Sequence, residues 1–174
     1  GQDDQVFDGA SFALNRHGAL AAQLPALEEA IVHLDFERGA EGWACRPGPR
    51  ASVPDAWETD YRAMVVGTRA SARKTGFSRA LLGLSGGVDS ALVAANSADA
   101  LGPENLRCVM LPSRYTSARS LEDAADIAGA LGCTLQELPI GPGVDALTES
   151  LAPFFEGLAP DVTEENLQSR LRGT

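Results

Sequence analysis

The chain has 174 residues, is 44% hydrophobic and carries a formal net charge of −10 at pH 7. That length and apolar content can bury a core, whereas the acidity argues against general nucleic-acid binding. All but four of the basic residues lie at Arg62 or later, which leaves room for a local anion site. There is no run of about eighteen apolar residues and no signal-type N-terminus, so no membrane span or secretion signal is expected and the cytoplasm is the default location. Cys45, Cys108 and Cys133 are widely spaced without a CxxC pair. That spacing opposes a disulfide framework or a zinc site and favours core packing.

In chain order, "SFALN" (11–15) and "ALAAQL" (19–24) flank Arg16-His17-Gly18 as two short strands flank a hairpin turn, and "AIVHLDF" (30–36) reads as a third strand. The stretch "ERGAEGWACRPGPRASVP" (37–54) accumulates Gly and Pro and loses periodicity, as a connector between two units does. "WETDYRAMVVGTRASARKTGF" (57–77) resumes helical spacing, with Tyr61, Met64, Val65 and Thr68 on one face and Gly76 as its stop.

From Ala80 the rhythm alternates. Strands are expected over 80–84, 106–112 and 134–140, and helices over 89–100 and 120–131. That order implies an α/β fold with a parallel sheet and helices packed on both faces. Ser120 with Asp123 resembles a capping box for the second helix, whose apolar stripe is Leu121, Ala124, Ala125, Ala128 and Leu131. In such sheets ligands sit at the carboxyl ends of strands.

"LLGLSGGVDSALVAANS" (81–97) lies at that place. Gly86 and Gly87 remove side chains where the chain leaves the strand, so backbone N–H groups can converge on an anion and the following helix aims its positive end at it. Against the pattern GxxxxGK[ST], Gly83 and Ser90 fall in place, Val88 stands for the second glycine and Asp89 for the lysine. A carboxylate beside a polyphosphate makes sense with a cation such as Mg²⁺ between them. The plain alternative is a tight strand-to-helix turn in which Asp89 or Ser85 is an N-cap.

The run "SGGVDS" (85–90) matches the SGGxDS pyrophosphate loop of the N-type ATP pyrophosphatases. "YRAMVVGTRASARKTGF" (61–77), "LPSRYTSARSLEDAADIAGALG" (111–132) and "TEENLQSRLRG" (163–173) further resemble the glutamine-dependent NAD synthetase family. The N-terminal "GQDDQVFDGASFALNRHGALAAQL" is similar to the last strands of that family's nitrilase-like glutaminase domain.

The resemblance implies an adenine nucleotide alpha hydrolase-like, Rossmann-like fold. It divides the chain into 1–36, the terminal strands of the glutaminase domain; 37–56, a connector; and 57–174, the first part of the synthetase domain. It implies amidation of deamido-NAD to NAD in the cytoplasm through an adenylate, with ATP and Mg²⁺ as cofactors, ammonia from glutamine, a homo-oligomer, and no nucleic-acid or membrane partner. Gly83, Leu84, Ser85, Gly86, Gly87, Val88, Asp89 and Ser90 would form the ATP loop. Within it Ser85, Asp89 and Ser90 are the candidate catalytic groups and Asp89 the candidate Mg²⁺ ligand.

Leu111 would border adenine, and Asn166 and Arg170, four apart on a helix, would meet deamido-NAD. None of the cysteines stands in the family's nucleophile context, and the family's glutaminase Glu, Lys and Cys lie upstream of this stretch. A second Mg²⁺-binding glutamate and a catalytic lysine lie in its later strands, so the 174 residues alone are expected to be inactive. GMP synthetase is the competing ligase, opposed by "ENLQSR" and "LPSRYTSARS"; a non-catalytic nucleotide-binding module is the competing class.

Overall fold

The computed structural model describes residues 5–113, 116–154 and 162–173, and of residues 162–165 only the backbone. The chain divides into two compact units, Gly1–Gly76 and Phe77–Thr174.

In the first unit, β1 (Phe12–Leu14) and β2 (Leu20–Gln23) pair antiparallel across a turn at Arg16–Gly18, in which His17 takes φ 64°. A second antiparallel hairpin joins β3 (Phe36–Gly39) to β4 (Gly42–Cys45). This corrects the expected third strand over 30–36: only Phe36 is in a strand, and Ile31 is 94% exposed. β-branched content there does not make a strand, because among the described residues no partner runs alongside. The pairing partners lie instead among the Gly-rich residues that read as structureless, where Gly42 at φ 105° closes a tight turn.

Asn15 ties the hairpins together, its Nδ2 donating to the Cys45 carbonyl at 2.8 Å and its Oδ1 accepting from the Cys45 N–H at 2.7 Å. Helix α1 (Ala56–Thr75) starts at Asp55, which accepts from the Glu58 N–H at 2.9 Å. It stops at Gly76 in the left-handed conformation, as its sequence predicts. Val65 is buried on it, whereas Met64, expected on the same face, is 46% exposed.

In the second unit β5 (Ala80–Gly83), β6 (Leu106–Met110) and β7 (Thr134–Glu137) form a parallel sheet in that order. Helices α2 (Val88–Leu101) and α3 (Ala118–Leu131) make the two crossovers. Ala94 and Ala98 of α2, Ala124 and Ala128 of α3, and Leu84, Leu106, Cys108 and Met110 form one buried cluster. The strand residues in it alternate along β6, so α2 and α3 share one face of the parallel sheet, where one helix on each face was expected. Small alanines let the helices approach the sheet closely.

Two details of α3 differ from expectation. Its N-cap is Ser117, which accepts from the Ser120 N–H at 3.1 Å, while Asp123 pairs with Arg119 at 3.7 Å. A serine three residues earlier caps the third amide of the helix, so Ser120 is already helical. Ala125 is exposed, and Ile127 packs on the core in its place.

Helix α4 (Gly141–Leu151) had no predicted counterpart, because Gly141-Pro142-Gly143 reads as a breaker. A proline in the first turn, however, loses no helical hydrogen bond. Helix α5 (Val162–Arg172) contacts α4. Among the described residues no helix is long and apolar enough to cross a membrane.

Candidate functional site

Residues 83–90 connect the carboxyl end of β5 to α2, and the Leu84 N–H donates to the Val109 carbonyl at 2.9 Å, extending the pairing with β6 by one bond. The loop then closes on itself. The Gly87 N–H donates to Ser85 Oγ at 3.3 Å, and the Ser85 N–H donates to Ser90 Oγ at 3.2 Å. Ser90 Oγ–H donates to the Gly87 carbonyl at 2.9 Å, and the two hydroxyls lie 3.0 Å apart. With Ser90 donating to Gly87, the Ser85 hydroxyl is left to donate to Ser90, which completes the ring. The loop's shape is therefore set by its own serines before any ligand arrives.

Gly86 has φ 80°, and a Cβ built on it would collide with the Ser120 carbonyl oxygen and lie 3.2 Å from the Ser120 Cα. The first turn of α3 thus packs against the turn that precedes α2. Gly87 has an extended φ of −83°, and a Cβ there would meet only Ser85 Oγ at 3.4 Å.

No side chain caps α2, so the amides of its first turn, which have no helical partners, lack a side-chain acceptor as well. Asp89 is the acidic residue of that turn, is exposed, and makes no ion pair among the described residues. It is a lone carboxylate: among the described residues no group of three His, Cys, Asp or Glu side chains could hold a metal. An exposed, unpaired carboxylate beside uncapped amides suits one ligand to a cation that phosphate oxygens also hold. It does not suit a metal centre built by this segment alone.

Leu111 directly follows β6, the neighbour of β5, and so belongs to the same sheet edge. Its loop is tied down by Ile140 N–H donating to the Pro112 carbonyl at 3.0 Å and Thr116 N–H donating to the Ser113 carbonyl at 3.0 Å. The Ser113 N–H donates to Thr116 Oγ1 at 3.0 Å. Arg114 and Tyr115, within the expected adenine stretch, lie outside the described residues.

On α5, Asn166 and Arg170 are both exposed, whereas Gln168 between them is 5% exposed and its Oε1 accepts from the Ser113 hydroxyl at 2.7 Å. The sheet edge therefore brings together residues 83–90, Leu111 and, through Ser113, the helix carrying Asn166 and Arg170. Sequence reasoning missed Gln168, and it read Ser120 only as a helix cap. Gln168 carried a faint signal, two positions from each of Asn166 and Arg170 and hence on the opposite face of the helix.

The cysteines are free. Cys45 and Cys108 are buried, and Cys133 is partly buried beside Cys108. Burial pushes the Cys108 thiol above its ordinary value, and the adjacent Cys133 raises it further. Burial also raises Cys133, partly offset by its hydrogen bond with Cys108. These thiols behave as packing groups, as their spacing suggested.

A parallel sheet with α crossovers on one face and a glycine turn at its first strand-to-helix junction defines a Rossmann-like α/β unit. The family model described as NAD synthase matches residues 61–174, and the chain belongs to that family. The chain is 60% identical to the glutamine-dependent NAD(+) synthetase of Rhodobacter capsulatus, over 99% of this chain and 31% of that protein. It also resembles the glutamine-dependent NAD+ synthetase of Acinetobacter baumannii, solved in complex with ADP, at 40% identity and a TM-score of 0.91, over 99% of this chain and 32% of that one. An NH3-dependent NAD synthetase from Campylobacter jejuni is 26% identical with a TM-score of 0.60, over 69% of this chain and 50% of that one. The chain spans about a third of the length of the glutamine-dependent relatives.

Proposed function

We propose that this segment supplies the ATP-pyrophosphate half of a glutamine-dependent NAD synthetase, acting in the cytoplasm on deamido-NAD within a longer protein. The domain division proposed with it is 1–36 from the glutaminase domain, 37–56 as connector and 57–174 as the start of the synthetase domain. The single observation that carries the reading is the loop 83–90, shaped by its own serines, with Gly86 pressed against Ser120 and Asp89 unpaired at the start of α2. The ADP complex of the Acinetobacter baumannii relative supports an adenine nucleotide as ligand.

The reaction has two steps. A carboxylate oxygen of deamido-NAD attacks the α-phosphorus of ATP, the Pα–O–Pβ bond breaks, and pyrophosphate leaves. Ammonia drawn from glutamine then attacks the adenylated carbonyl carbon, the C–O bond to AMP breaks, and the amide of NAD remains. The loop amides and the uncapped turn of α2 hold the β and γ phosphates and take up the charge that builds on the departing pyrophosphate. Mg²⁺ held by Asp89 would neutralise those oxygens. Ser85 and Ser90 keep the amides aimed, Leu111 borders the adenine, and Asn166 and Arg170 meet the dinucleotide.

The test is a substrate panel on the full-length protein with ATP, Mg²⁺ and ammonia. AMP and NAD forming together from deamido-NAD is the expected result. AMP release with xanthosine monophosphate instead would identify the competing ligase, and nucleotide binding without AMP release would identify a non-catalytic module.

A further inference from the structure

Gln168 and Ser113 lie 55 residues apart, yet their side chains meet at 2.7 Å in a part-buried setting. A buried amide is unfavourable unless it is bonded. Three residues on, Leu171 lies so close to α4 that a Cβ on Gly143 would come within 2.8 Å of Leu171 Cδ2. Gln168 and Leu171 thus share the docked face of α5, and Asn166 and Arg170 are exposed. Gln168 supplies a polar anchor of that docking, and losing one anchor lets a docked helix turn about the others.

We propose that the Ser113–Gln168 hydrogen bond is a positioning latch for the dinucleotide substrate. It sets the rotation of α5 against the loop that follows β6, so that the Asn166 and Arg170 face and the adenine-side loop act as one piece. Both are positioning residues, acting through the groups they hold, and the inference rests on the functional reading above. The loop keeps its ties to Thr116 and Ile140 when the latch is lost, whereas α5 loses the side-chain bond that joins it to that loop. Loss should therefore fall on the dinucleotide more than on ATP.

The experiment uses the full-length enzyme with Gln168→Met, Ser113→Ala, the double variant, and Ser113→Thr, which keeps the hydroxyl. Either single removal should raise KM for deamido-NAD about tenfold, the factor that one ordinary buried hydrogen bond corresponds to, with kcat at saturation within about twofold. The double variant should be no worse than the worse single, and Ser113→Thr should restore KM. Unchanged KM in both singles would overturn the latch while leaving the functional reading in place. So would a fall in kcat and thermal stability without a KM change, or full additivity in the double variant. A wild-type enzyme that makes no NAD would overturn the functional reading and the latch with it.

Discussion

The carbonyl oxygen of Ser120, in the first turn of α3, occupies the place where a side chain on Gly86 would be. Two helix starts, α2 and α3, are thereby packed around one glycine, and the phosphate-side turn is only as well placed as that contact.

Gly86→Ala should therefore fail on two counts. A left-handed backbone costs a non-glycine residue about 1–2 kcal/mol, and the displaced carbonyl adds to that. Gly87→Ala, at an extended φ with ordinary space, should cost under about 1 kcal/mol. Thermal denaturation of the two variants of the full-length protein, with ATP titrations, checks this; equal destabilisation by both would refute the contact's importance. Gly87→Val is a separate matter, since its bulk would stand in the phosphate's path.

Asp89→Asn should leave the fold unchanged, because the side chain is exposed and makes no ion pair among the described residues. Adenylation should drop on the order of 10²-fold or more, the scale expected when a metal or oxyanion contact made in the transition state is removed. Turnover within about threefold of wild type at saturating Mg²⁺ and ammonia would count against a metal role.

Ser117→Ala removes the N-cap of α3 and should destabilise the enzyme by about 1 kcal/mol. Because the same turn backs onto Gly86, ATP affinity should weaken as well, whereas Ser117→Asp should keep both. A stability loss with ATP affinity unchanged would show that the α3 start does not support the loop.

Alkylation should report the cysteine environment. In the native protein Cys108 and Cys133 should react with iodoacetamide more slowly than a free thiol at mildly alkaline pH, because burial disfavours the thiolate. Both folded values lie above the unfolded ones, so the protonated thiols favour the folded state. Their contribution is complete below the ordinary thiol value and is lost as pH rises through the raised one. Rapid native labelling of Cys108, read by mass spectrometry, would contradict that burial.

The sequence by itself determined the alternation of strands and helices after Ala80, the stop of α1 at Gly76, and the tight turn from β5 into α2. These rest on signals within a few residues of one another: apolar spacing, a left-handed glycine, a paired Gly-Gly. Tertiary structure alone decided the rest. Asn15 bridging to Cys45 holds a hairpin together where the local composition reads as a connector, and Ser120 against Gly86 turns a flexible glycine into an obligatory one. Ser113 reaching Gln168 selects which face of α5 is buried, beside Leu171, where the sequence alone points only to Asn166 and Arg170. Each of these joins residues 30 or more positions apart, where the partner's identity is set by packing and hydrogen-bond satisfaction across the fold and leaves no periodicity in either strand or helix.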